Sequence, residues 1–433
     1  SGKTVLLTSL ISHLKNHHPE LLRLHPGSKK QPAEIICFEE RSLPGMKIPM
    51  LPHEKSYNSF RHEMRWPDKT ADALYYHCTF QRRDWSWTDV ELTFIDFPGE
   101  RFNDLLMLDE KMDYAGWSTQ VLDRLESHPK SRALAADYLA TVKTQLSAHS
   151  PDAEAVLRAY RLLLARLMQN YSAFITPSVF ALDTRGRMPD NHPDPARVAA
   201  GRLLGLNEES QFAPLPSMEE DTPLHPVFRK SFDQYRKALI RPHFDLLRRC
   251  DLLLVLVDIP GLLAGNVGRF NDTEQVIGDV LAAAGRKRGF GIFSFRNLKK
   301  VAFVATKSDT IQPRDSDRLR ALLKELVWHK ARNHPDLPHQ LFTCAAVQST
   351  HLDAKGELEG YPVWSPEGRL IPPPTPDQPM HHLHPSRLPE CWPEHWQAGD
   401  YAFPEVWPLL PARRNLPPRH LGLNAIVDFI LES

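Results

Sequence analysis

Long apolar runs are missing from these 433 residues. The longest clean one, Leu252–Val257, is closed by Asp251 and Asp258 and falls far short of the roughly 20 residues that cross a bilayer. Charge of one sign is missing too. Lys plus Arg is 53 and Asp plus Glu is 53, which disfavours a basic nucleic-acid-binding body and an acidic tail. Cysteine is sparse: Cys37, Cys78, Cys250, Cys344 and Cys391 lie far apart with no CxxC pair. That usage suits free thiols in a reducing compartment, and with no secretory leader pattern it leads us to expect a cytoplasmic protein. No internal repeat is found. What is abundant is proline, 38 in all. The chain is 42% apolar and 24% charged, too apolar for wholesale disorder. At roughly 150 residues per domain it is long enough for two or three units, each with its own core.

The chain opens on Ser1-Gly2-Lys3-Thr4, which reads as the last four positions of GxxxxGK[ST], as though the motif's first glycine and its preceding strand lay upstream. From Thr4 the spacing of Val5, Leu6, Leu10 and Leu14 predicts an amphipathic helix. Residues 26–70 show little periodicity and are expected to be a long mobile connection. Leu74–Gln81 and Val90–Ile95, rich in β-branched and aromatic residues, read as two strands joined by a turn region at Arg82–Asp89. Helices are predicted over Ser131–Ala148, Glu154–Phe174 and about Phe228–Arg249. Then come a strand at Leu252–Val257, a helix at Thr273–Ala284, a strand at Val301–Ala305, a helix at Asp315–Arg332 and a strand at Gln340–Ala346. Alternation of apolar strands with helices predicts a parallel sheet covered on both faces. Residues 361–420 hold 15 of the prolines, so no regular helix or central strand fits there. An ordered or semi-ordered excursion is expected, followed by a last helix at Leu421–Leu431.

Three motifs carry chemistry. A glycine loop ahead of a helix lets backbone N–H groups and the helix terminus face phosphate. Lys3 would reach the β- and γ-phosphates, and Thr4 would offer its hydroxyl to Mg²⁺. The tetrapeptide alone is weak evidence, since any helix can begin with Gly-Lys-Thr. The second motif, Asp96-Phe97-Pro98-Gly99, follows an apolar strand, and a carboxylate there can hold Mg²⁺ while Gly99 N–H contacts a γ-phosphate. Asp258-Ile259-Pro260-Gly261 is a rival copy, favoured by its shorter spacing to Thr306. Strand counting favours Asp96: a Ras-like sheet needs a full strand and helix between the DxxG and the base-reading strand, and two strands before it. The third motif is Thr306-Lys307-Ser308-Asp309 after the strand VAFVA. A carboxylate there can accept from guanine N1–H and N2–H₂, donors that adenine lacks, while the stem of Lys307 lies on the base plane. Thr343–Ala346 supply small residues whose N–H groups, at Ala345 and Ala346, could approach guanine O6.

With SGKT, DFPGE, the downstream LLML, ATKSD, the AAVQST tract at 345–350 and the terminal LNAIVDFIL, the chain resembles the YcjX-like family, stress-associated bacterial GTPases with a Ras-like P-loop domain. The likeness spans nearly the whole sequence. It implies binding of GTP and GDP with Mg²⁺, slow hydrolysis and a switch role in bacterial stress. Two departures from ordinary small GTPases stand out. Glu100 occupies the place of a water-orienting Gln, where a carboxylate near the γ-phosphate slows turnover. Thr306 replaces the usual Asn that braces the phosphate loop.

The expected architecture is an α/β Ras-like P-loop NTPase three-layer sandwich with a large helical insertion and a Pro-rich excursion before the last helix. Residues 1–100 form the first part of the G domain, 101–244 the helical insertion, 245–348 the second part, 349–419 the excursion and 420–433 the last helix. Lys3 and Glu100 are the expected catalytic residues. Ser1, Gly2, Lys3, Thr4, Val5, Gly99, Thr306, Lys307, Asp309, Ala345 and Ala346 are expected at the nucleotide. Thr4, Asp96 and Thr70, the last from the first switch, are expected at Mg²⁺. A cis arginine could come from Arg101 or Arg65. The expected partners are a guanine nucleotide and a protein docked on the helical insertion. No nucleic acid and no transmembrane segment are expected, with room for peripheral membrane association through a partner. A nucleotide-binding scaffold with negligible turnover and a P-loop ATPase are the alternatives. His381, His382, His384, Cys391 and His395 lack metal-ligand spacing and read as loop residues. The tryptophans read as packing anchors.

Overall fold

The computed structural model describes residues 2–25, 33–67, 73–85, 89–97, 107, 112–127, 129–170, 212–216, 222–237, 241–285, 297–375 and 377–432. The chain folds as two compact units. The first comprises Ser1–Phe97, Asp251–Val267 and Leu298–Ser433, and the second Pro98–Cys250 and Gly268–Asn297. The result is a mixed α/β fold with a parallel core sheet and helical insertions.

The first unit opens with α1 (Lys3–Lys15). The apolar spacing suggested a helix with one wet face. Instead Thr4 and every residue from Leu6 to Leu14 are buried, as in a helix enclosed on all sides. The expected mobile connection at 26–70 contains regular structure: strand β1 (Ile35–Glu40) and helix α2 (His53–His62). β1 pairs antiparallel with β2 (Leu74–Arg82), which pairs antiparallel with β3 (Asp89–Asp96). β1 escaped notice because an edge strand buries little, and four of its six residues are exposed. α2 is a polar decapeptide held by its four buried residues His53, Ser56, Tyr57 and Phe60.

A second sheet is parallel, with β4 (Leu252–Val257), β5 (Lys300–Ala305) and β6 (His339–Thr343) in that order. Val257 pairs with Ala305 and Ala305 with Thr343. The three strands therefore end level, and the next residue of each, Asp258, Thr306 and Cys344, leaves from the same edge. β6 stops short of the expected Ala346, because Ala345 turns to bridge Leu421. The core joins α1 to both sheets through Leu6, Leu10, Phe80, Ala302, Val304 and the last helix.

The proline-rich excursion is ordered. β7 (Thr350–Leu352), β8 (Leu358–Gly360) and β9 (His381–His382) form a small antiparallel sheet over Leu358, Leu383 and Val406. Its tryptophans act as anchors: Trp392 Nε1 donates to Leu322 O and Trp407 Nε1 to Ile371 O. Arg387 closes a two-pronged ion pair on the buried Asp315. Burial pulls the Asp315 carboxyl upward, but the guanidinium and the Leu388 N–H outweigh it and hold it below the usual carboxylate range.

In the second unit, α3 (Tyr114–Ser127), α4 (Pro129–Leu146) and α5 (Ala153–Asn170) pack in succession. Where a helix was expected near 228–249, α6 (Leu224–Tyr235) and α7 (Arg241–Leu247) are described, with 238–240 between them outside the described residues. An aromatic core built on Tyr114, Trp117, Phe212 and Phe232 fills this unit, and Tyr114 Oη donates to Ala213 O at 2.6 Å. The remaining helices are α8 (Ile259–Leu263), α9 (Val267–Ala284), α10 (Ser316–Ala331) and α11 (Leu423–Leu431). Among the described residues, no helix is long and apolar enough to cross a membrane.

Four imidazoles line the seam around α1. His13 Nε2 donates to Pro418 O at 2.9 Å, and its ring meets that of His420 edge-on at 4.8 Å. His420 Nε2 donates to Leu21 O, His17 accepts from Ile35 N–H, and His53 Nε2 lies 3.1 Å from Ser12 Oγ. Burial lowers all four pKa values, that of His13 to about 3. Between that value and the ordinary 6.5 the unfolded chain binds protons that the folded chain refuses, so stability falls as pH falls. Denaturant unfolding should show full stability above pH 6.5 and a progressive loss toward pH 3, with His13 contributing on the order of several kcal/mol. A His13→Gln variant should show a shallower decline, and a profile as steep as that of the unaltered chain would contradict the assignment.

Candidate functional site

Helix α1 starts at Lys3 with Gly2 as its N-cap. Its first turn directs N–H groups outward, where they have no intrahelical acceptor. Thr4 is buried in that turn, and its Oγ1 donates to Asp96 Oδ2 at 2.7 Å. Asp96 is the last residue of β3 and is itself buried. Two of the three expected metal-side groups thus meet, although 92 positions separate them. A hydroxyl and a carboxylate in contact form an all-oxygen donor set of the kind that a hard divalent cation takes. The rival Asp258 lies elsewhere: its Oδ1 accepts from Gly261 N–H, capping α8, and its Oδ2 sits 2.7 Å from Lys307 Nζ.

Thr306-Lys307-Ser308-Asp309 leaves the end of β5 and is held at each residue. Thr306 N–H donates to Val257 O, and its hydroxyl leans toward the same carbonyl at 3.3 Å. Its methyl faces Gly2: a Cβ placed on Gly2 would lie 3.7 Å from Thr306 Cγ2. The first and third motifs are therefore neighbours, packed through a methyl where an Asn would offer an amide. Lys307 adopts a left-handed backbone with φ 57°, costly for a side chain other than glycine. Thr310 N–H and Oγ1 both donate to the Lys307 carbonyl, and Ser308 N–H donates to Cys344 O.

Asp309 is buried, and its Oδ2 accepts from Ser349 N–H at 2.6 Å and Ser349 Oγ at 2.7 Å. Burial pushes its carboxyl pKa up, against the pull of these donors. Ser349 orients this carboxylate and was not singled out from the sequence as a site residue. The available signal was its place in the AAVQST tract, just beyond a strand end.

Ala345 N–H donates to Leu421 O, and the Ala345 carbonyl accepts from Leu421 N–H in return. Ala346 keeps its carbonyl on Ser9 Oγ. Of the two alanines expected near a purine oxygen, Ala345 already uses its amide in this bridge. Val5 packs toward Tyr57, Phe60 and Val347. Ser1, Thr70, Gly99, Glu100 and Arg101 lie outside the described residues. Of the histidines weighed as metal ligands, His382 sits with Asp353 and Glu359, their ligand atoms within 4.8 Å of one another.

The YcjX-like family, DUF463, matches the chain over residues 1–433. The chain belongs to that family. No curated protein sequence matches it. In this YcjX-like chain the end of β6 packs against the start of α11. Gly422, its N-cap, has φ 75°, and a Cβ there would overlap the Thr343 carbonyl oxygen. Gly422→Ala is expected to destabilise by at least about 2 kcal/mol, adding left-handed strain to a backbone collision. Thermal unfolding measures this, and an unchanged midpoint would show that the edge can shift to accept a methyl.

Proposed function

We propose that the chain is a Ras-like P-loop GTPase that binds guanine nucleotide with Mg²⁺ and hydrolyses GTP slowly, as a nucleotide-dependent switch in bacterial stress response. The observation that carries this reading is the buried Thr4–Asp96 hydrogen bond, in the same unit as a TKSD turn whose Thr306 packs on Gly2. The start of α1, the hydroxyl–carboxylate pair at the end of β3 and the turn after β5 thus belong to one unit, as a site for phosphate, cation and base requires. Family membership is in keeping with it.

In this reading residues 1–100, 245–348 and 420–433 make the G domain. Ser1, Gly2 and Val5 contribute backbone to the phosphate cradle, and Lys3 directs its ammonium at the β- and γ-phosphates. Thr4 and Asp96, joined by Thr70, would hold Mg²⁺, which when bound neutralises charge on those phosphate oxygens. Gly99 offers an N–H to the γ-phosphate, and Glu100 stands beside the attacking water. Asp309 accepts from the guanine N–H donors, oriented by Ser349, and of the two alanines Ala346 is the one placed toward O6 in this reading, the Ala345 amide being held by Leu421. Glu100 as a carboxylate favours low turnover, so a scaffold that binds without hydrolysing is the second reading.

Single-turnover hydrolysis separates the two. A rate of about 10⁻³ s⁻¹ is expected, the order of unassisted GTPases, abolished by Lys3→Ala. A rate no higher than that variant's would leave the scaffold. The elevated pKa of Asp309 adds a pH dependence. Only the carboxylate accepts from guanine, so GDP affinity should be flat above that pKa and weaken as pH is lowered through it, earlier than for an ordinary aspartate. Asp309→Ala should weaken GDP about 100-fold and remove the pH step. ADP binding as tightly as GDP would reject guanine recognition.

A further inference from the structure

We propose that Asp258 is a positioning residue of the base site, fixing the Lys307 side chain so that its stem forms one wall of the slot for the purine. The inference rests on the guanine-nucleotide reading and deepens it, assigning a role to the second Asp-x-Pro-Gly segment, which that reading leaves unused.

Strand register brings the two residues together. Val257 and Ala305 are paired at the ends of β4 and β5, so Asp258 and Thr306 leave the sheet side by side, with Lys307 one residue further. The two carboxylate oxygens of Asp258 have separate tasks. Oδ1 accepts from Gly261 N–H at 2.9 Å, which pins the carboxylate as the cap of α8. Oδ2 meets Lys307 Nζ at 2.7 Å. Because the cap fixes the carboxylate, the lysine must come to it.

The backbone of Lys307 is equally constrained. Its left-handed conformation is uncommon for a residue with a long side chain. It is maintained by the bonds from Thr310 to the Lys307 carbonyl and from Ser308 to Cys344 O. With Cα set by the turn and Nζ set by Asp258, the aliphatic stem between them has both ends held. The ion pair is half exposed, with side-chain accessibilities of 45% for Lys307 and 38% for Asp258. Pairs so exposed add little to folding. Its effect is to select one lysine conformer, which lowers the ordering cost when a planar ligand packs against the stem.

The test uses the whole chain, with GDP and inorganic pyrophosphate as ligands. Asp258→Asn keeps an oxygen to cap Gly261 and removes the charge that holds Lys307. It is expected to weaken GDP about 5- to 10-fold, leave pyrophosphate affinity unchanged and leave the thermal midpoint near that of the unaltered chain. In a Lys307→Met background, where the stem remains and the ammonium is gone, Asp258→Asn should change GDP affinity less than 2-fold. Equal effects in the two backgrounds, a parallel loss of pyrophosphate binding or no effect at all would each overturn the proposal. Failure of the unaltered chain to bind GDP would instead overturn the guanine reading, and the inference with it.

Discussion

The hydrogen bond from Thr4 to Asp96 is the contact on which the site is built. A buried carboxylate is costly unless it is bonded, and here a bond comes from the first turn of a helix, where the helix dipole already favours negative charge. The helix start is held in place by burial of nearly all the rest of α1. A helix with one wet face could rotate and lose the register between Thr4 and Asp96. An enclosed helix cannot rotate without opening the core.

The TKSD turn depends on a different constraint, the level ending of three parallel strands. Open α/β sheets place ligands at the carboxyl ends of their strands, and here Val257, Ala305 and Thr343 form one row. The residues just beyond it brace one another: Thr306 on Val257, Ser308 on Cys344, Lys307 on Asp258. A one-residue slip between β4 and β5 would separate the last pair and reverse the faces of an entire strand. The apolar residues of β5, all buried from Val301 to Ala305, oppose such a slip.

Much of this was legible in the sequence and some was not, for separable reasons. β4 and β5 announced themselves as apolar runs, and strand counting selected Asp96 over Asp258, the residue that Thr4 meets being Asp96. Local periodicity missed β1, whose exposed IICFEE has meaning only against β2, and α2, whose polar HEKSYNSFRH buries just one face. It also made α1 look half wet, because the segments that cover its second face come from the far end of the chain. The partners of Asp309 were hidden for a similar reason. Ser349 lies 40 positions from Asp309, and side-chain spacing says nothing about where the chain returns. The Asp258–Lys307 pair was concealed by a plausible competing use for Asp258.

The excursion that covers α1 shows why so many prolines are compatible with order. Proline has no N–H to donate, but its neighbours and its own carbonyl still accept. The segment is accordingly anchored by donors reaching it from elsewhere: His13 to Pro418 O, Tyr57 to Leu416 O, Trp66 to Val406 O and Arg318 to Leu388 O. Such anchoring needs no ladder and tolerates irregular backbone, provided that the donors are buried and correctly aimed. The same return path carries Gln348, whose N–H donates to Arg419 O, and Ser349, whose carbonyl would lie 3.1 Å from a Cβ on Gly360. Ser349 is thus clamped between the excursion and Asp309. The aim of the carboxylate that reads the base in our proposal is therefore set by a proline-rich segment that contributes no residue of its own to the expected nucleotide contacts.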